Sequence, residues 1–238
     1  MNKWLIGSSH VGAVARAHRK ADLKDNNLNA VLLGGSRFSK TVFHRIDAGR
    51  LEFTKEDYQK NSNSFRKCLD IGEIESIFVL LGDINNLILG NSGFWGSHEP
   101  SGINVEGRVP LPQSTIRAFC ESDTRSVIGF LTDLQDLGPR PYWVTYPAIK
   151  DNHPMFSRGV RRETVHYLDS FFIQHMTKSL AAMGIATVHR PKGSLTENGF
   201  LKAEYSQDTT LKGTPDWVHA NELYGSLMLN EILGVSAT

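Results

Sequence analysis

The order of apolar runs predicts an α/β fold: a three-layer, doubly wound and mostly parallel sheet. Two observations carry this. Short apolar runs, several of them closed by glycine or proline, alternate with longer segments of helical period. One run, Ser76 to Leu81 (SIFVLL), is continuously apolar and is followed by Gly82, as suits a strand buried on both faces of a parallel sheet.

In chain order, the first strand is expected over Lys3 to Ile6, ending in Gly7-Ser8-Ser9. A helix follows over Val11 to Lys20, where Val11, Val14 and Ala15 recur at helical spacing. Asn29 to Leu33 reads as the second strand, closed by Gly34-Gly35, and Ser76 to Leu81 as the third. Thr115 to Asp136 holds a helix. Pro141 to Tyr146 (PYWVTY) is a fourth strand, stopped by Pro147, and Gly184 to Val188 is the fifth. Between these last two lies the longest helix, Arg161 to Met183, with Val165, Leu168, Phe172 and Met176 on one stripe. The final helix runs from Ala220 to Leu233 on a stripe of Leu223, Tyr224, Leu227, Met228 and Ile232. Leu89 to Gln113 is rich in Gly, Pro and Ser, has little periodicity, and reads as a long loop rimming the site. No repeat or linker divides the chain, so residues 1–238 are expected to form a single domain.

Composition narrows the function classes. The chain is 40% hydrophobic and 21% charged, with 26 basic and 25 acidic residues and a net charge of +1. No charge excess points to a nucleic-acid or membrane-surface partner. Two cysteines, Cys68 and Cys120, are too few for a disulfide framework and read as free thiols. Neither a signal peptide nor a run of about 20 apolar residues is present, which leads us to expect a cytoplasmic protein. His98, His153, His166, His175 and His189 lack metal-ligand spacing with Cys, Asp or Glu, and no metal or cofactor is expected.

In open parallel sheets, sites lie beyond the carboxyl ends of the strands, which directs attention to the segments just after each one. Gly7-Ser8-Ser9-His10 places a serine between a strand and a helix. Ser9 there is either a nucleophile beside N–H groups that can stabilise an oxyanion, or a helix N-cap. A dinucleotide fingerprint is disfavoured, because Ser9 occupies the middle glycine position and no acidic residue ends the second strand. Neither a P-loop Gly-Lys-Ser/Thr nor a G-x-S-x-G elbow is present, since Val11 stands where the elbow's second glycine belongs. At the other end, Asp216-Trp217-Val218-His219 precedes the last helix. It is either a carboxylate that orients an imidazole or an N-cap followed by a surface histidine. His10 reads as a partly exposed residue at the start of the first helix, Phe94 and Trp95 as either pocket lining or loop anchors, and Arg158, Arg161 and Arg162 as a solvated helix start.

Together these segments resemble the first and last blocks of the SGNH (GDSL-type) hydrolases, and the resemblance runs in order along essentially the whole chain. Gly7-Ser8-Ser9 is similar to the Gly-Asp-Ser block, with Ser8 in place of Asp; Gly34-Gly35 sits where the family has its oxyanion glycine; Gly82-Asp83-Ile84-Asn85 lies at the Gly-x-Asn-Asp block; and Asp216 with His219 matches the last block. The resemblance implies the flavodoxin-like SGNH fold and a cofactor-free serine esterase. Ser9 would be the nucleophile, His219 the general base and then acid, and Asp216 the group that orients His219. Ser9 and Gly35 would lend N–H groups to the oxyanion hole, with Gly34 the rival to Gly35. Ile84 stands where the family has Asn, so either Asn85 donates from a shifted turn or the hole relies on backbone N–H groups. The implied substrate is a small-molecule or carbohydrate ester bearing a short acyl group, such as acetyl on a carbohydrate. Acyl transfer to a sugar hydroxyl, and a catalytically silent binding module, are the alternatives.

Overall fold

The structure, a computed structural model, describes residues 2–21, 28–33, 43–54, 68–82, 84–103, 106–210 and 212–235, without the side chains of Cys68, Asn85 and Asn86. Its centre is a five-stranded sheet in which every pairing is parallel. The strands are β1 (Asn2–Gly7), β2 (Leu28–Leu32), β6 (Ile74–Leu80), β9 (Arg140–Val144) and β10 (Ala186–Val188), in the order β2-β1-β6-β9-β10. These are the five strands expected from the sequence, each shifted by no more than two residues at either end. Leu5 and Ile6 of β1 and Ile77, Phe78 and Val79 of β6 are completely buried. They have helices on both faces, so they read as apolar runs and not as alternations.

Helices cover both sides of this parallel sheet. α1 (Val11–Lys20) packs on α6 (Glu222–Val235), and α4 (Gln113–Asp136) packs on α5 (Arg162–Ala181). The α5 stripe of Val165, Leu168, Phe172 and Met176 is buried as expected. On α6 the inward face is Tyr224, Gly225, Met228, Leu229 and Ile232, whereas Leu223, expected inside, is 60% exposed.

Gly225 allows the two end helices to meet. A Cβ built there would lie 2.1 Å from the Ala13 carbonyl oxygen of α1, closer than any real contact. The sequence of the last helix therefore contains a glycine where helix propensity would favour alanine, because close approach outweighs propensity.

Two smaller sheets were not expected. β3 (His44–Asp47), β4 (Arg50–Phe53) and β5 (Cys68–Asp70) form an antiparallel sheet inserted between β2 and β6. Phe53 of β4 and Phe43, just ahead of β3, reach Phe130 of α4, with ring centroids 6.3 and 5.0 Å apart, and His44 bonds Asp133 at 2.7 Å. The segment read as a long loop is also built structure. It contains α2 (Asn85–Ile88), α3 (Ser92–Trp95) and the short parallel pair β7 (His98–Pro100) and β8 (Val109–Leu111). Trp95 is an anchor there: it is fully buried and its indole N–H donates to the Leu87 carbonyl at 2.7 Å. Arg108 fastens the same segment, donating to the buried Glu99 carboxylate at 2.7 Å, to Trp95 O at 3.2 Å and to Gly159 O at 2.6 Å.

Candidate active site

β1 has β2 on one side and β6 on the other, so the winding direction of the sheet reverses at its carboxyl end. That reversal opens the crevice in which open α/β sheets place ligands. Ser9 stands there. Gly7 and Ser8 lead into it, and the Ser8 N–H donates to Leu80 O of β6 at 3.2 Å. Gly7 is required by this closeness, since a Cβ would lie 2.4 Å from the same Leu80 oxygen.

The Ser9 side chain does not cap α1. Its main-chain carbonyl accepts from Gly12 N at 3.1 Å, while Oγ lies 2.7 Å from His219 Nε2, a partner 210 positions away in the sequence. Of the two readings of Ser9, the geometry therefore removes the N-cap.

His219 Nδ1 in turn lies 2.9 Å from Asp216 Oδ2. The other carboxylate oxygen, Oδ1, accepts the main-chain N–H groups of Val218 at 3.0 Å and His219 at 2.9 Å. This tight turn explains the spacing of three: the same carboxylate that holds the imidazole also closes the turn that carries it. Burial alone would push the Asp216 carboxyl up, but the N–H donors of His219 and Val218 and the imidazole outweigh it, so the carboxyl lies below the ordinary aspartate range. An ionised acceptor at Nδ1 fixes the tautomer that leaves Nε2 able to take a proton from Ser9.

Asn221 holds the turn from behind. Its Oδ1 accepts from Leu223 N at 3.0 Å and Tyr224 N at 3.2 Å, starting α6, while its Nδ2 donates to Glu204 O at 2.7 Å and Ser206 O at 3.1 Å. An asparagine ahead of the helix is a legible cap.

His10 departs from its expectation. It is 5% exposed, and its ring centroid lies 5.4 Å from that of His219. Burial, aided by the neighbouring imidazole of His219 and opposed by Asp216, lowers its pKa to about 3. It therefore stays neutral at pH 7 beside the His219 ring. Nothing in the local sequence signalled this, because the burial arises from the packing of the chain's two ends.

The remaining oxyanion candidates are unequal. Gly34 and Gly35 lie outside the described residues. Asn85 opens α2, and its side chain is not described; Ile84 beside it is wholly buried, so the family's amide position is filled by core. Ser9 N, at the head of α1, is the expected donor that falls among the described residues, where the helix dipole also favours a developing anion. Phe94, half-buried, stacks on His98 with centroids 4.0 Å apart, and with Trp95 and Phe119 it lines a cleft against α4. The basic cluster forms surface ion pairs, Arg162 with Asp151 at 2.6 Å and Arg161 with Glu163 at 3.2 Å. Among the described residues, no group of three or more His, Cys, Asp or Glu is placed to hold a metal ion, and no helix is long and apolar enough to cross a membrane.

No protein-family model and no curated protein matches the sequence. Solved structures do match its fold. Phospholipase A1 from Streptomyces albidoflavus aligns with a TM-score of 0.55 and 11% identity over 98% of both chains. A GDSL-like lipase from Bacteroides thetaiotaomicron gives 0.51 and 10%, over 99% of this chain and 86% of that one. The periplasmic domain of a lipopolysaccharide acetyltransferase from Salmonella Paratyphi A gives 0.50 and 12%, over 100% and 84%. At such identities the likeness concerns the fold.

Proposed function

We propose that this chain, whose fold is that of the SGNH (GDSL-type) hydrolases, is a serine esterase that works through an acyl-enzyme on Ser9. The observation that carries the reading is the continuous line from Asp216 through His219 to Ser9 Oγ, with links of 2.9 and 2.7 Å. Ser9 Oγ attacks the ester carbonyl while its proton passes to His219 Nε2. The carbonyl oxygen carries the negative charge, met by the Ser9 N–H at the head of α1. As the tetrahedral species collapses, the ester C–O bond breaks and His219 returns the proton to the departing alkoxide, releasing the alcohol. A water then repeats the sequence against the acyl-serine, freeing the acid and Ser9. Asp216 remains ionised and holds the imidazolium.

A short acyl ester, acetyl on a carbohydrate, is the proposed substrate, supported by the family resemblance of the site blocks. The fold shared with an acetyltransferase keeps open a second outcome of the same chemistry, in which a sugar hydroxyl takes the place of water. The test is hydrolysis of p-nitrophenyl acetate by the wild type and by Ser9→Ala and His219→Ala, with labelling of Ser9 by a fluorophosphonate. Both variants are expected to lose activity by about 10³-fold or more. Wild-type rates in both would sink the assignment. An unlabelled Ser9 in folded protein would favour a silent binding module, and an acylated sugar formed when an acceptor is added would favour transfer.

A further inference from the structure

A buried lysine bonds the Asp216 main chain and has no part in the chemistry above. Lys150 follows the carboxyl end of β9, and its side chain is only 3% exposed. Its Nζ donates to two main-chain carbonyls, Gln207 O and Asp216 O, each at 2.5 Å. Burial draws its pKa below the ordinary lysine value, while the carboxylates of Asp216 and Asp208 push it back up. His153 is the other titratable group in its field, and burial, with Arg158 and then Lys150 adding to it, lowers that imidazole's pKa.

The two carbonyls belong to opposite sides of one hairpin. Residues 206–210 and 212–220 run back along each other through the bridges Ser206–Ala220 and Thr209–Pro215. Gln207 N donates to His219 O at 3.0 Å, and Asp216 N to Asp208 O at 2.9 Å. This hairpin carries both Asp216 and His219. Lys150 itself is held by core structure: its neighbour Ile149 accepts from Leu201 N at 3.0 Å, and Lys150 bridges Leu201.

Burying an ammonium is unfavourable unless it is well paired, and an apolar residue of like volume is frequently no worse for stability. What the lysine adds, and an apolar residue would not, is direction: two short bonds that fix where the Asp216 main chain sits. A small displacement of the dyad matters, since misplacement by about 1 Å can cost on the order of 100-fold in rate.

We propose that Lys150 is a positioning residue, fixing the hairpin of Asp216 and His219 to the end of β9 so that the imidazole stays in line with Ser9 Oγ. This rests on reading Ser9, His219 and Asp216 as the reacting set. The sequence hid it, because a single lysine after Pro147-Ala148-Ile149 carries no motif.

The experiment is Lys150→Met, alone and combined with His219→Ala, using p-nitrophenyl acetate. Alone, kcat should fall about 10- to 100-fold, as for residues that orient others, with KM changed less than about twofold, as for an interaction expressed in the transition state. In the His219→Ala background the same change should have no further effect, because Lys150 acts only through the imidazole. Wild-type kcat in Lys150→Met, or an equal fractional loss in both backgrounds, would overturn the proposal. If Lys150→Met does not fold, Lys150→Gln replaces it. Its shorter side chain cannot serve both carbonyls, so kcat should fall about tenfold, on the lower edge of that range; wild-type kcat there overturns the proposal as well. If the wild type cleaves no ester and Ser9 takes no label, the esterase reading fails. Lys150 is then judged by proton NMR: the downfield His219 Nδ1–H resonance should be present in the wild type and lost in Lys150→Met, and a resonance unchanged by the substitution would overturn the clamp.

Discussion

His10 should make the protein sensitive to mild acid, and the size of the effect follows from its burial. In the unfolded chain its imidazole titrates near 6.5, whereas in the fold that value falls to about 3. Below pH 6.5 the unfolded chain therefore takes up a proton that the native state refuses. Stability contributed through His10 is complete above pH 6.5 and drains away as pH falls toward 3, at about 1.4 kcal/mol per pH unit. Between pH 6.5 and 4.5 this comes to about 3 kcal/mol, a large share of a typical 5–15 kcal/mol total. The assay is urea unfolding of wild type and His10→Phe at pH 7 and pH 4.5. The phenyl ring keeps most of the volume, and whatever packing or hydrogen bonding it changes enters at both pH values and cancels. His153 and His175, whose pKa values are also lowered by burial, are present in both proteins and cancel too. The wild type should lose about 3 kcal/mol more than the variant on acidification. Equal losses would refute the reasoning and mean that His10 takes up its proton in the fold.

Other perturbations test the frame around the site. Gly225→Ala should cost about 3 kcal/mol by forcing α6 off α1, the upper end of what overpacking causes; because these helices carry the two halves of the site, activity of the remaining folded protein should fall as well, which an activity assay well below the unfolding midpoint would read. Arg108→Ala strips the buried Glu99 of its 2.7 Å partner. It should destabilise by about 3 kcal/mol and open residues 89–113 to limited proteolysis, and a digestion pattern like the wild type's would count against the anchor. Cys120 is fully buried and its thiol is pushed up to about 12, chiefly by that burial; in a Cys68→Ser background a thiol reagent should react with it no faster than the protein unfolds.

What the sequence revealed and concealed has physical grounds. The five central strands were legible because sheets covered on both faces need continuous apolar runs, and SIFVLL can be little else. α1 and α5 were legible from their periodicity. Ser9, His219 and Asp216 were legible as residue types at strand and helix ends. The β3–β5 sheet was hidden because HRID and RLEF are four residues each, too short for their alternation to stand out, and their buried side packs on Phe130 of α4 only in the fold. β7 and β8, three residues each and containing proline, are built by Arg108 and Trp95 from outside the strands. Leu223 was misplaced because a stripe drawn at helical spacing cannot tell where Gly225 will let the neighbouring helix sit. His10 and Lys150 owe their roles to His219 and Asp216, 209 and 66 positions away, separations that no local pattern encodes.

The pairing of Ser9 with a base 210 positions later also bears on how the molecule is made. A ribosome delivers the serine 210 positions before the imidazole. Throughout elongation the nascent chain presents an ordinary, unactivated hydroxyl. The Ser9–His219 bond can form only once residues 216–229 emerge and α6 settles on α1. Any truncation before Asp216 would accordingly yield a polypeptide that keeps Ser9 and lacks both the imidazole and the carboxylate of its hydrogen-bonded line.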